Sequence, residues 1–124
     1  MGDSNRKYNL SEDGESFMAG ILANYSSLFH FLCPTPNSVR RIKPSAFSGA
    51  YKVWSVENKE APIRLLSPNK PGGMASHFEI KSLDHTANHY FAMASIIALG
   101  ITGILEKKTL PNPGIGDPAL LTEN

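Results

Sequence analysis

The chain has 124 residues, 41% of them hydrophobic, with 12 Lys+Arg against 11 Asp+Glu. That length suits one ordinary domain. A formal charge of +1 excludes a strongly basic nucleic-acid binder on bulk grounds, and equally a highly charged disordered chain.

Residues 1–10, MGDSNRKYNL, read as a polar lead-in without the apolar stretch of a secretory signal. From Ser11 to Leu32 the pattern predicts a helix. Ser11 is the expected N-cap, and Glu12, Asp13 and Glu15 lie where a helix dipole favours negative charge. Phe17, Ile21, Leu22, Tyr25, Leu28, Phe29 and Leu32 form one apolar stripe. Pro34 and Pro36 end it, and CPTPNSVRRIKPSAFSGA (33–50) reads as an ordered loop. Three strands are expected next, at 50–56, 61–67 and 77–83, joined by short connections that favour antiparallel pairing. A second helix is predicted from Asn88, its N-cap, to about Lys107. The tail from 109 to 124, TLPNPGIGDPALLTEN, is turn-rich and is expected to be loose.

The last helix is apolar all round, with Phe91, Met93, Ile96, Ile97, Leu99, Ile101, Ile104 and Leu105 spread about its axis. Such a helix is expected to be buried, yet this chain offers thin cover for it. Its uncharged run, Tyr90 to Leu105, falls short of the roughly 20 residues that span a bilayer, so no membrane partner is expected. The single cysteine, Cys33, forbids an intrachain disulfide and favours a reducing, cytoplasmic setting.

Between Arg40 and Lys81 the basic residues Arg40, Arg41, Lys43, Lys52, Lys59, Arg64, Lys70 and Lys81 are opposed only by Glu57, Glu60 and Glu79. Strand alternation puts His77, Glu79 and Lys81 on one face and Phe78 and Ile80 on the other, with Arg64 opposite Ile63 and Leu65 in the preceding strand. Two readings stay open. One is a salt-bridged solvated face. The other is an anion site with a carboxylate able to hold a divalent cation. His85 and His89 lack the HExxH pattern of a zinc helix. Cys33 reads as a buried, inert thiol, and Trp54 as a sheet core residue rather than a base-stacking platform.

From about Lys7 to Ile104 the sequence resembles the C-terminal part of the catalytic domain of type I glutamine synthetases, in particular the glutamine synthetase-like proteins of plants and fungi. The resemblance rests on SFMAGIL, CPTPNSVRRIKP, VENKEAPIR and HFEIKSLDHTANHYFAMASIIALGITGI, in that order, with the spacing from Arg41 to Arg64 kept without a gap. It implies an α+β fragment of that domain: a helix, three short antiparallel strands and a buried helix. Residues 11–108 would be the partial catalytic domain. The N-terminal β-grasp domain, further metal ligands and a C-terminal helical part would lie outside the chain.

The family's activity is ATP-dependent ligation of ammonia to glutamate through γ-glutamyl phosphate, with Mg2+ or Mn2+. By resemblance, Arg41 grips glutamate and Arg64 binds phosphate, both in catalytic positions. Lys59 stands at a second phosphate-binding position, and Lys81 where an arginine holds the glutamate carboxylate. His77 is near the nucleotide and Glu79 is a metal ligand. Phe47 takes the place of a glutamate that helps deprotonate ammonia. Glutamate, ammonia and ATP are then the small-molecule partners, and a homo-oligomer or a full-length relative the protein partner. An alternative of another class is a non-catalytic remnant that binds full-length subunits and modulates their assembly.

Overall fold

The computed structural model describes residues 2–3, 6–66, 73–75, 77–116 and 118. Ser11 caps the first helix, its hydroxyl accepting the Gly14 N–H at 3.1 Å, with Glu12, Asp13 and Glu15 in the first turn. The expected single helix is two: α1, Glu12–Ala23, and α2, Tyr25–Leu32. Asn24 breaks it, with φ −105° and ψ 18° and its side chain donating to the Gly20 carbonyl at 3.1 Å. An asparagine that bonds locally competes with the helical ladder. The freed Ala23 carbonyl is taken by Lys52 Nζ at 2.8 Å.

The segment read as a loop contains a short helix, α3, Pro36–Arg41. Thr35 caps it by accepting the Ser38 N–H at 3.1 Å, and Pro36 takes the first helical position, where its missing N–H costs nothing. The three strands are shorter than expected: β1, Trp54–Val56, β2, Ile63–Leu65, and β3, Phe78–Ile80. They form one sheet in that order.

The pairing is mixed, which corrects the all-antiparallel expectation. β2 and β3 are antiparallel, but β1 and β2 run parallel, in the register Trp54↔Ile63 and Val56↔Leu65. A long crossover is needed only when strands are long. A three-residue strand spans roughly 10 Å, and the chain from 57 to 62 can reach roughly twice that. The return is turned by Glu57 at φ 55° and by the Asn58 side chain, which accepts the Glu60 N–H at 2.9 Å. Most of the connection between β2 and β3, with Lys70, lies outside the described residues, as does most of the tail beyond 116.

Alternation along these strands puts Trp54, Ile63 and Leu65 into the core beside Met18, Ile21, Leu28 and Leu32. Asn88 caps the last helix, α4, His89–Leu105, accepting from Tyr90 N and Phe91 N. α4 packs along α1 at glycines. A Cβ on Gly103 would lie 2.2 Å from the Ser16 carbonyl oxygen and 2.7 Å from Gly20 Cα. The two backbones therefore touch. The helix expected to be buried is covered on this side only: Ala92, Gly100 and Gly103 are buried, whereas Tyr90, Phe91, Met93, Ile97, Ile101 and Leu105 are exposed. No described helix is long and apolar enough to cross a membrane.

After α4 the chain runs back along β1. Gly114 N donates to the Trp54 carbonyl at 2.9 Å, Trp54 Nε1 to the Pro111 carbonyl at 2.9 Å, and Ser55 Oγ to the Gly114 carbonyl at 2.6 Å.

Candidate active-site face of the sheet

The sheet register assembles the centre of the site. Ser55, Arg64 and Glu79 are aligned across the three strands, so all three project to the face opposite Trp54, Ile63 and Ile80. Arg64, with 18% of its side chain exposed, sits between two carboxylates: Nη2 donates to Glu57 Oε2 at 2.7 Å and Nη1 to Glu79 Oε2 at 3.2 Å. The hydrogen bond to Glu57 is the main reason its pKa is raised, with the charge of Glu79 adding to it. Arg64 is a cation at any working pH.

Lys59 and Lys81 meet at the edge of this group. The turn after β3 is pinned by Lys81 N donating to the Pro62 carbonyl at 3.0 Å, and Lys81 Nζ donates to the Lys59 carbonyl at 2.7 Å. Burial pulls the Lys81 pKa down, and the charge of Glu79 opposes that shift. Lys59 Nζ stands 6.0 Å from the centre of the Phe47 ring, and the Phe47 N–H donates to Glu60 Oε1 at 3.0 Å. Phe47, Lys59, Glu60 and Lys81 thus form one corner. Glu60 Oε2 and Arg64 Nε are buried without a hydrogen-bond partner among the described residues.

Arg41 stands apart from this corner, at the end of α3. Its Nη2 donates to the Ser82 carbonyl at 2.9 Å, which the Cys33 thiol also reaches at 2.9 Å. Ser82 Oγ shares a hydrogen bond with the Tyr25 hydroxyl. Burial raises the Cys33 pKa, as suits an inert thiol. His77 is exposed and lies two residues before Glu79. The structure therefore brings Arg64, Glu79, Lys81 and Lys59 together, with Arg41 linked through the residue that follows Lys81.

Glu57 and Glu60 are what the sequence reading missed. In the sequence they are only counter-charges to the basic segment, yet Glu57 clamps Arg64 and Glu60 holds Phe47. Parity carried the signal for Glu57: in a parallel β1–β2 pair, Ser55 and Glu57 share the face of Arg64. A cleft of about 530 Å³ opens beside Glu57, with Tyr8, Ser55, Asn58 and Gly114 among its walls.

Among the described residues no three His, Cys, Asp or Glu side chains converge as a metal site requires. Glu79 is a single, half-exposed carboxylate already engaged by Arg64, so these residues by themselves do not fit a divalent cation. What they can do is hold anionic oxygens, provided an anion displaces the carboxylates from Arg64.

A family model described as the glutamine synthetase catalytic domain matches residues 1–124. The chain is 35% identical over 113 residues to the gamma-glutamylpolyamine synthetase GlnA3 of Streptomyces coelicolor, covering 90% of this chain and 24% of that protein. It is 42% identical over 112 residues to type-1 glutamine synthetase 1 of Dictyostelium discoideum, covering 90% of this chain and 22% of that protein. Identity to protein fluG of Emericella nidulans is 42% over 98 residues, 78% of this chain and 10% of that protein. The chain thus spans less than a quarter of the length of these relatives. From end to end it belongs to the glutamine synthetase catalytic-domain family.

Proposed function

We propose that this chain is a partial catalytic domain of an ATP-dependent ligase that joins ammonia or an amine to glutamate, forming ADP. The observation that carries the reading is the clamped Arg64, in register with Glu79 and beside Lys59 and Lys81, in a chain that matches the catalytic domain throughout. In the proposed reaction a γ-carboxylate oxygen of glutamate bonds to the terminal phosphorus of ATP, and the bond from that phosphorus to the bridging oxygen breaks. ADP leaves with the electron pair. The amine nitrogen then attacks the acyl carbon of γ-glutamyl phosphate, the C–O bond breaks with its electron pair going to the departing phosphate, and the proton lost by the amine passes to that phosphate.

In this scheme Arg64 holds the transferring phosphoryl group, through donors that develop their full strength as charge builds on its oxygens. Lys59 assists it as a point charge without the fork geometry of arginine. Arg41 and Lys81 bind the carboxylates of glutamate, and His77 lies toward the nucleotide. Glu79 holds Arg64 in place. In the whole enzyme Glu79 is also one donor to Mg2+ or Mn2+, with the remaining donors supplied from outside this chain. Phe47 supplies an apolar wall where the amine enters, which favours an amine with a carbon body, as the name of the Streptomyces relative suggests. The enzyme works as an oligomer in the cytoplasm.

The test is a chimera. The matched segment of the Dictyostelium enzyme is replaced by this chain, and ADP release with glutamate and ammonia or an alkylamine is measured. The chimera is expected to turn over, and Arg64→Gln within it to lose about 100-fold or more in kcat, the scale of removing one donor from a developing anion. A chimera that folds and assembles yet releases no ADP with any amine overturns the reading.

A further inference from the structure

The loop 43–49, between α3 and β1, is tied at its foot. Ser48 is buried, and its hydroxyl accepts the Lys43 N–H at 3.0 Å and donates to the Lys43 carbonyl at 3.1 Å. Gly49, at φ 76°, lies so close to the chain entering β2 that a Cβ on it would stand 2.7 Å from Pro62 Cα. The tip of the loop is held differently. Ser45 and Phe47 sit at positive φ, 58° and 51°, a region that disfavours any residue with a Cβ and a bulky one most. Burial does not compensate, since Phe47 is 61% exposed. Packing therefore does not explain why the ring stands where it does.

Glu60 supplies the hold. Its Oε1 accepts the Phe47 N–H at 3.0 Å, and a charged acceptor makes a stronger bond than a neutral one. The backbone of Glu60 is itself fixed, its N–H donating to Asn58 Oδ1 at 2.9 Å. Its other oxygen, Oε2, is buried without a hydrogen-bond partner among the described residues. A carboxylate oxygen kept from water and unpaired is costly, so this side chain is turned to the loop at the expense of its own solvation. The ring it places stands at the corner where Lys59 Nζ is 6.0 Å from the ring centre and Lys81 Nζ is tied to the Lys59 carbonyl at 2.7 Å. One side chain of the β1–β2 turn thus sets how an exposed ring stands over two ammonium groups.

We propose that Glu60 is a positioning residue for amine selectivity: its carboxylate latches the 43–49 loop through the Phe47 amide, and so fixes the Phe47 ring as the wall that selects an amine with a carbon body over ammonia. The role rests on the ligase reading and deepens it, by naming the group that sets the preference between amines. Glu60 acts through Phe47 and touches neither the amine nor the reacting atoms. Position 60 therefore needs reach and an acceptor oxygen, and it does not need charge.

Two substitutions separate reach from charge. Glu60→Gln keeps an acceptor oxygen at the same distance and loses the charge, whereas Glu60→Asp keeps the charge and is one methylene short. In the 124-residue chain, hydrogen exchange at the Phe47 amide, followed by NMR, is expected to quicken about 10-fold or more in Glu60→Asp and to stay within about 3-fold in Glu60→Gln. In the chimera with the Dictyostelium enzyme, kcat/KM for ethylamine relative to ammonia is expected to fall about 10-fold in Glu60→Asp, the low end of what one methylene contact in an apolar pocket is worth. Glu60→Gln keeps the wild-type ratio. Phe47→Ala is expected to produce the same fall, and adding Glu60→Asp to it no further fall, because the latch acts only through the ring. A merely structural role would lower turnover of both amines alike and leave their ratio unmoved. Unaltered exchange at Phe47 in Glu60→Asp overturns the proposal, and so does faster exchange with an unaltered ratio. A Glu60→Gln variant that loses the ratio as fully as Glu60→Asp overturns it too, and assigns the role to charge. A wild-type chimera that folds and assembles yet turns over no amine is a different failure: it overturns the ligase reading and the amine role with it, and the exchange rates alone then decide whether the latch exists.

Discussion

Gly103→Ala sets two effects of opposite sign against each other. On helix propensity alone, alanine in the interior of α4 stabilises by about 1 kcal/mol. The structure predicts the reverse. The new Cβ would lie 2.2 Å from the Ser16 carbonyl oxygen, 2.7 Å from Gly20 Cα and 2.8 Å from Gly20 N. All three are backbone atoms of α1, which no rotamer change can move. Relief requires α1 and α4 to part by roughly 0.5–1 Å, and a gap of that size forfeits a quarter to a half of each dispersion well along the contact. Overpacking costs typically ~1–3 kcal/mol, and backbone against backbone belongs at the upper end. The net expectation is a loss of about 2 kcal/mol, or about 8 °C in Tm for a chain of this size. Gly100→Ala is the control. Its Cβ would meet the Phe17 ring tip at 2.1 Å, a side chain that can swing aside, so its net change stays within about 1 kcal/mol. Urea unfolding followed by Trp54 fluorescence measures both, since Trp54 is fully buried. If Gly103→Ala gains the propensity increment, the helices are not in backbone contact and the reasoning fails.

Two pH effects follow from buried and bonded groups. Burial, partly offset by the hydrogen bond with Ser82, pushes the Tyr25 pKa up to about 12 from 10.0. A raised pKa means stability fully present below pH 10 and lost as pH rises toward 12; two units amount to about 2.7 kcal/mol. Tyr25→Phe is expected to remove that alkaline loss, and an unfolding series from pH 9.5 upward with unchanged slope would disprove the assignment. At the acid end, hydrogen bonds from Ser38 and then Thr86 hold Asp84 at about 2, below its usual 3.8. A depressed carboxylate stabilises above its unfolded pKa and loses that contribution as pH falls from 3.8 toward 2. Asp84→Asn flattens this window, as read by the midpoint of acid unfolding; an unaltered midpoint would count against it.

The parts legible in the sequence were those set by short-range chemistry. Ser11 and Asn88 were readable as caps because a short polar side chain before an apolar run has one good use there. The face shared by Arg64 and Glu79 was readable because strand parity is strict. What failed depended on competition or on distance. Asn24 sits inside a continuous apolar stripe, and only its bond to Gly20 and the lysine arriving from residue 52 make it a break. Short connections favour antiparallel pairing as a rule for long strands, and only the parallel β1–β2 register brings Glu57 near Arg64. The open side of α4 could be suspected from its composition, but which side α1 would cover was decided by glycines spaced to match Gly20.

The charge arrangement limits what this chain can do by itself. Arg64, Lys59 and Lys81 bring three positive charges to the sheet face, and Glu57, Glu60 and Glu79 bring three negative ones. Arg64 already spends its strongest donors on two of those carboxylates. A triphosphate arriving here meets a face with no net attraction, and it must displace an ion pair of 2.7 Å to reach the guanidinium. Displacement becomes favourable only when the released carboxylates find other positive partners. Glu57 holds its side of the pair from a turn at φ 55°, a backbone region that disfavours side chains other than glycine. The same pairs that keep this face neutral therefore hold Arg64 in position.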